Sequence, residues 1–98
     1  MATYIVLSRF TEQGLHSIKD TTKRADAVRE QARKMGIETQ SLYWTIGKYD
    51  VVATFEAPND EAMTALSLAI ASHGFVTTQT LRAFSKDEMS GILAKLGH

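Results

Sequence analysis

A chain of 98 residues is long enough for one domain with a modest hydrophobic core, and we predict a single domain over residues 1–98. Its 11 basic and 11 acidic residues cancel, which argues against nucleic acid or an anionic membrane surface as a partner. The lack of cysteine excludes disulfides, thiolate metal sites and a cysteine nucleophile, and without an apolar run of about 18 residues or a signal peptide we expect a cytoplasmic protein.

The first half of the chain predicts a strand, a mixed connection, a helix and a second strand. Thr3 to Phe10 is rich in β-branched and aromatic residues, which favour a strand. A helix is predicted to begin at Asp20 or Thr21 and to end at Gly36, because apolar residues recur between them at helical spacing. Those apolar positions are Ala25, Val28, Ala32 and Met35. The second strand is predicted over Ile37 to Ile46.

The second half predicts two further strands and two further helices. Asp50 to Ala57 forms the third strand, and Asn59 or Asp60 caps the helix that follows. Phe75 to Phe84 forms the fourth strand. Ser85 and Glu88 match a capping box at the start of a last helix. The apolar positions of the two helices are Met63, Leu66, Ala69, Ile70 and His73 in the first and Met89, Ile92, Leu93 and Leu96 in the second.

This order of elements predicts an α+β, ferredoxin-like β-α-β-β-α-β fold with a C-terminal helix. Right-handed crossovers place both main helices on one face of a four-stranded antiparallel sheet. The other face of the sheet is left open.

The hairpin between strands two and three is predicted to close through Gly47-Lys48 as a two-residue type II′ turn. Trp44 then lies opposite Val51 and Leu42 opposite Ala53. A four-residue loop keeps this sorting, whereas a three-residue loop mixes apolar and polar residues on both faces. The predicted core face carries Leu42, Trp44, Ile46, Tyr49, Val51, Ala53 and Phe55, and the open face carries Ser41, Tyr43, Thr45, Asp50, Val52 and Thr54.

The first strand is apolar on both alternations, which is unusual for a strand with solvent on one side. We therefore expect a second copy to cover the open face, giving a homodimer of the dimeric α+β barrel type or an oligomer of dimers. The terminal helix is the alternative cover. Two facing sheets enclose a space lined in part by Tyr43 and Asp50, which predicts a small-molecule site. A purely architectural alternative fills that space with Tyr43, Val6 and Phe10.

Several candidate residues have two interpretations. Asp50 is either an acceptor that stabilises the turn or a ligand contact. His16 and Arg24 form either a solvated basic cluster or a pocket rim that holds an anionic group. His73 is interpreted as a capping residue of its helix, and Tyr43 as core or open-face aromatic.

The sequence lacks the patterns typical of common enzymes. No histidine pair has metal-ligand spacing, and there is no phosphate-binding glycine loop or nucleophile elbow. We predict no metal and no cofactor. The enzymatic alternative is a cofactor-free oxygenase or isomerase that uses His16, His73 and Asp50 as acid–base groups, and it needs a histidine in the cavity.

The residues from Thr11 to Gly36 and from Tyr43 to Phe84 resemble the GYD-domain family, named for a Gly-x-Tyr-Asp motif that is Gly47, Tyr49 and Asp50 here. The resemblance implies a ferredoxin-like protein without an assigned biochemical activity, and it adds Tyr49 to the candidate ligand contacts. Supporting matches are Gln13-Gly14, Lys19, Arg24, Glu56-Ala57-Pro58 and Thr80-Leu81-Arg82-Ala83-Phe84.

The run from Gly47 to Phe84 is also similar to the ligand-sensing domain of the leucine-responsive regulators. That similarity implies pairing through sheets and amino-acid binding near an oligomer interface. No DNA-binding helix-turn-helix precedes the run in this sequence, so a stand-alone sensor or effector module is expected.

Overall fold

The computed structural model describes residues 1–97 and has the predicted α+β, ferredoxin-like architecture. The elements are β1 (Ala2–Phe10), α1 (Glu12–His16), a short 3₁₀ helix (Ile18–Asp20), α2 (Thr21–Lys34), β2 (Glu38–Trp44), β3 (Val51–Ala57), α3 (Asp60–Ser72), β4 (Val76–Ala83) and α4 (Lys86–Ala94). The four strands form one antiparallel sheet in the order β2-β3-β1-β4. Within residues 1–97, no helix combines the length and the apolar character that crossing a membrane requires.

The predicted N-terminal caps of α3 and α4 and the predicted end of α2 are confirmed. The Asn59 side chain accepts a hydrogen bond of 2.8 Å from the Ala62 N–H at the start of α3. Ser85 and Glu88 form the complete capping box of α4, in which each side chain bonds the other residue's backbone N–H. Gly36 follows α2 with a φ of 76°, a left-handed conformation that favours glycine and commonly terminates a helix.

The predicted register of β2 and β3 is also confirmed, with Leu42 opposite Ala53 and Trp44 opposite Val51. A β-bulge between Thr39 and Ser41 interrupts the pairing nearer the start of β2. Side chains on the helix-covered side of β1 and β3 alternate with those on the open side, and together with α2 and α3 they form the core. Its buried residues are Tyr4, Val6, Ala32, Ile37, Ala53, Phe55, Ala57, Met63, Leu66 and Ile70.

The loop between β2 and β3 is longer than predicted. It runs over six residues, 45–50, and not over the two residues of a type II′ turn. Thr45 closes it, because its N–H donates to the Asp50 carbonyl at 2.8 Å and its hydroxyl donates to the Tyr49 carbonyl at 2.6 Å. An even number of loop residues preserves the sorting of the strands, but Ile46, predicted in the core, is fully exposed.

β1 alternates between the two faces of the sheet. Val6 pairs with Ala53 on the helix side and is buried, whereas Leu7 pairs with Val52 on the open side. Phe10 also lies on the helix side, so the prediction that Val6 and Phe10 fill a space between two sheets is wrong. The buried Tyr4 donates its hydroxyl to Asp60 at the start of α3, and this bond together with burial raises the pKa of the phenol above its usual range.

α4 stands away from the rest of the molecule. None of its residues is buried, and its apolar side chains Met89, Ile92, Leu93 and Leu96 are exposed. The radius of gyration is 15.0 Å, compared with about 13 Å for a compact domain of this length, and the longest dimension is 54 Å. The terminal helix therefore does not cover the open face of its own sheet.

Gly14 marks a close approach between α1 and the start of β4. A Cβ atom at Gly14 would lie 2.1 Å from the Phe75 carbonyl oxygen, which is far inside van der Waals contact with a backbone atom. Phe75 cannot retreat freely, because its carbonyl accepts from the Thr11 N–H at 3.0 Å and the Thr11 hydroxyl donates to the Gly74 carbonyl at 2.6 Å.

We expect Gly14→Ala to lower the free energy of unfolding by about 1–3 kcal/mol, the usual cost of forcing an atom into a packed contact. Urea unfolding followed by circular dichroism measures the change. The matched control is Gly91→Ala in α4, where the new Cβ meets nothing within 4 Å and helix propensity improves. Equal stabilities of Gly14→Ala and the wild type would contradict the close approach.

Candidate functional site

The open face of the sheet consists of side chains that the pairing aligns in rows across all four strands. One central row is Tyr43, Val52, Leu7 and Gln79, and the next is Ser41, Thr54, Ile5 and Leu81. The central residues of both rows are half-buried by neighbouring side chains of the same sheet, and Tyr43 is 65% exposed. A largely apolar surface of this extent is typical of an interaction site.

The two ends of the open face carry opposite charges. Arg9 lies beyond the Leu7 row, with Lys48 nearby in the β2–β3 loop. At the other end Glu56 pairs with Thr3 on one side and with Glu38 on the other. Glu38 and Glu56 are directly opposed like charges, an arrangement that destabilises a sheet unless a cation offsets it.

A hollow of about 230 Å³ lies at the basic end of this face. It is lined by Leu7, Arg9, Lys48, Tyr49, Thr77, Thr78 and Gln79. The Tyr49 hydroxyl donates to the Gln79 side-chain oxygen at 3.0 Å, so the phenol reaches across the open face from the loop to β4. The prediction that Tyr49 closes the edge of the core is therefore wrong. The reason is the six-residue loop, which frees Tyr49 from the alternation of β3.

Asp50 joins the loop to β1. Its carboxylate accepts from the Phe10 N–H at 2.9 Å, and its own N–H donates to the Ser8 carbonyl at 2.8 Å. The side chain thus extends the hydrogen-bonded ladder between β3 and β1 by one position, before the first residue of β3. The structure gives Asp50 the role of an acceptor that holds the loop, with the carboxylate in line with the strands instead of projecting over the open face. Its contact with a ligand stays a prediction.

A second cavity lies on the opposite side of the sheet, between β1, β3 and the helices. This helix–sheet cleft has a volume of about 240 Å³. Its lining is mostly apolar and includes Val28, Leu42, Trp44, Phe55 and Phe75. Arg24, Ser8, Gln31, Thr21 and His73 add the polar groups. The indole N–H of Trp44 donates to the Thr21 hydroxyl at 3.1 Å and so links the end of β2 to the start of α2.

Arg24 is held firmly in the wall of the cleft. Its Nη1 donates to the Ser17 carbonyl at 2.8 Å, and its guanidinium carbon lies 4.4 Å from the centre of the Phe75 ring. Nη2 also lies 3.4 Å from the Gly14 carbonyl oxygen. These contacts fix the guanidinium between α1, α2 and β4. Arg24 is on the helix side of the sheet and is separated from Tyr43, Tyr49 and Asp50.

The histidines are separated as well. His16 is exposed at the end of α1, 3.7 Å from Glu12, and lies in neither cavity. His73 follows α3 and lines the helix–sheet cleft. No group of three histidine, aspartate or glutamate side chains within residues 1–97 is arranged to hold a metal ion. An acid–base role for His16, His73 and Asp50 together would require groups that the fold does not bring together.

The open-face residues Arg9 and Gln79 were not among the sequence-based candidates. Their signal is the strand alternation: Arg9 is two residues from Leu7, and Gln79 is two from Leu81. Side chains two residues apart in a strand point to the same face, so each of them shares the open face with an apolar neighbour. The helix–sheet cleft had no such signal, because it depends on how far α2 stands from the sheet.

Comparison with known proteins agrees with this geometry. Residues 4–93 match the GYD domain. The chain is also 33% identical over 84 residues to the glutamine synthetase and cystathionine beta-lyase binding protein of Thermus thermophilus, an alignment that covers 85% of this chain and 88% of that protein. With the Gly47, Tyr49 and Asp50 motif placed in the β2–β3 loop, the chain belongs to the GYD-domain family.

Proposed function

We propose that this protein is a homodimeric binding module of the cytoplasm, in which two copies pair through the open faces of their sheets. The observation that carries the proposal is the open face itself, whose two central rows are largely apolar and are covered by no element within residues 1–97. Both alternations of β1 are apolar because one packs under the helices and the other packs against the second copy.

The open face and the apolar side of α4 together provide the area that pairing requires. Strands about 4.8 Å apart and residues rising about 3.3 Å each give a face of roughly 20 by 20 Å. That is about half of the roughly 800 Å² that each partner contributes to a stable interface. The apolar side of α4 supplies the remainder when the helix of each copy lies along the other.

The charges of the face support one particular pairing. A two-fold axis that lies between the two central rows and parallel to them reverses the strand direction of the second copy. The basic end of each face then lies over the acidic end of the other, so that Arg9 approaches the partner's Glu56. This pairing is self-complementary, as a two-fold interface requires, and it offsets the repulsion between Glu38 and Glu56.

Charge reversal tests the pairing. We expect Arg9→Glu and Glu56→Arg each to weaken the dimer at least about tenfold, because each places like charges across the interface. The double variant is expected to restore dimerisation to near the wild-type level. Arg9 and Glu56 lie about 20 Å apart along one sheet, so the restoration must occur between copies. Sedimentation velocity over a concentration series measures the dissociation constants.

Two controls sharpen this experiment. Lys23→Glu reverses an exposed charge on α2 and should leave the dimer unchanged. Removal of residues 85–98 should weaken the dimer without unfolding the sheet, since α4 contributes no buried residue to the fold. A wild-type protein that stays monomeric at high concentration, or a double variant no better than the single ones, would overturn the proposed pairing.

We further propose that the hollow at the basic end holds a small polar molecule at the edge of the paired sheets. Tyr49, Gln79 and Lys48 offer donors and acceptors there, whereas Tyr43, at the far end of the row that contains Gln79, does not line the hollow. Asp50 acts by fixing the loop that carries Tyr49. Arg24 and His16, predicted at the rim of this site, lie elsewhere and are not assigned to it.

A thermal-shift screen of amino acids and small organic acids tests the hollow. We expect a ligand that raises the melting temperature of the wild type and has a several-fold weaker effect on Tyr49→Phe, which loses one hydroxyl. Tyr43→Phe serves as the matched control, because its hydroxyl has no contact with the hollow. No shift with any compound, or equal shifts in both variants, would rule out this site.

The name of the Thermus thermophilus relative favours protein partners as well. We propose that the paired module binds a glutamine synthetase or a cystathionine beta-lyase of its own organism. Biolayer interferometry with the purified enzymes is expected to give saturable binding by the wild type and weaker binding by the monomeric Arg9→Glu variant, because a dimer presents two contacts at once. Absence of saturable binding to both enzymes would contradict the proposal.

A further inference from the structure

The helix–sheet cleft has the features of a binding site that is separate from the open face. It lies on the opposite side of the sheet, so pairing of the open faces neither covers it nor changes its lining. Its walls come from β1, β2, β3, β4, α2 and the end of α3. Aromatic and aliphatic side chains form most of the surface, which is the usual composition of a pocket for a small organic molecule.

The volume limits the size of the occupant. A cleft of about 240 Å³ has about eight times the roughly 30 Å³ that one water occupies in the liquid. It therefore accommodates a small organic molecule. Water gains few hydrogen bonds against a wall made of Val28, Leu42 and Phe55, so an apolar group is the better occupant.

The charges of the lining have one sign. Among residues 1–97, no aspartate or glutamate lines the cleft, whereas Arg24 and His73 do. Ser8 also lines the cleft and is a buried polar residue, 7% exposed. A cation and a buried hydroxyl among apolar walls favour a ligand with a negatively charged head and an apolar body.

Arg24 is positioned before any ligand arrives. Nη1 of the guanidinium donates to the Ser17 carbonyl, and the Phe75 ring packs against the face of the guanidinium. Among residues 1–97, none of its hydrogen bonds uses Nε, and Nη2 makes one long hydrogen bond of 3.4 Å to the Gly14 carbonyl. The Nε–Nη2 edge therefore keeps donors in the geometry that a carboxylate accepts in pairs. A fixed guanidinium loses little side-chain entropy on binding.

We propose that the helix–sheet cleft binds a small monocarboxylic acid with an apolar body, with its carboxylate on Arg24 and its body against Trp44, Val28 and Phe55. The site is formed within one subunit. The proposed dimer and the proposed site in the hollow do not depend on this ligand class.

The single tryptophan of the chain reports on this site, because Trp44 lines the cleft. Titration of the full chain with 3-phenylpropionate is expected to change the Trp44 fluorescence saturably. Backbone NMR signals should shift mainly at Ser8, Arg24 and Phe75. The neutral 3-phenylpropanamide tests the charge, and acetate tests the apolar body, and both are expected to bind at least about tenfold more weakly.

Two variants separate the roles of charge and space. Arg24→Gln should weaken 3-phenylpropionate binding at least about tenfold and reduce the preference over the amide. Ala25→Leu should also weaken it, by filling the cleft while the contacts of Arg24 remain. Arg29→Gln, on an exposed part of the same helix, is the matched control and should bind as the wild type does.

The outcomes distinguish this site from the proposed dimer. Binding should persist in Arg9→Glu, whose open face is altered but whose cleft is intact. The proposal is overturned by an unchanged affinity in Ala25→Leu, by equal affinities for acid and amide, or by NMR shifts that map to Leu7 and Tyr49 instead of the cleft. If Arg24→Gln lowers the melting temperature, the affinity of Ala25→Leu for the acid and the comparison of acid with amide still test the proposal.

Discussion

The register between β1 and β3 is the constraint on which the rest of the structure depends. It pairs Val6 with Ala53 under the helices and Leu7 with Val52 on the open side. A slip of one residue would exchange these sets and expose the core. Because Ile5, Leu7 and Val52 lie on the open side of the two central strands, the same register that builds the core also groups apolar residues on the second surface. The fold therefore leaves apolar side chains on the open face as a consequence of the register that packs its core.

The sequence predicted the parts of the structure that depend on local chemistry and strand alternation. Asn59 and the Ser85–Glu88 box cap their helices as expected, and Leu42 and Trp44 face their predicted partners. The parts that depend on chain geometry were not predictable in this way. Both two and six loop residues satisfy the alternation, so Tyr49 and Ile46 were assigned to the core by a loop length that the pattern alone does not determine.

The Gly-x-Tyr-Asp motif has a physical explanation in that loop. Gly47 has a φ of 119°, which favours glycine, and it lies where a Cβ would meet no neighbour within 4 Å. Asp50 attaches the end of the loop to the Phe10 N–H, and Tyr49, just before it, is directed across the open face to Gln79. The glycine permits the turn, the aspartate fixes it, and the tyrosine is the side chain that the loop presents.

The same loop lies between the hollow and the helix–sheet cleft. On one side of the sheet Tyr49 lines the hollow, and on the other Trp44 and Val51, which flank the loop, line the helix–sheet cleft. The hydrogen bonds of Thr45 and Asp50 tie these residues to one backbone unit. The loop and its two flanking residues therefore contribute to the linings of both the hollow and the helix–sheet cleft.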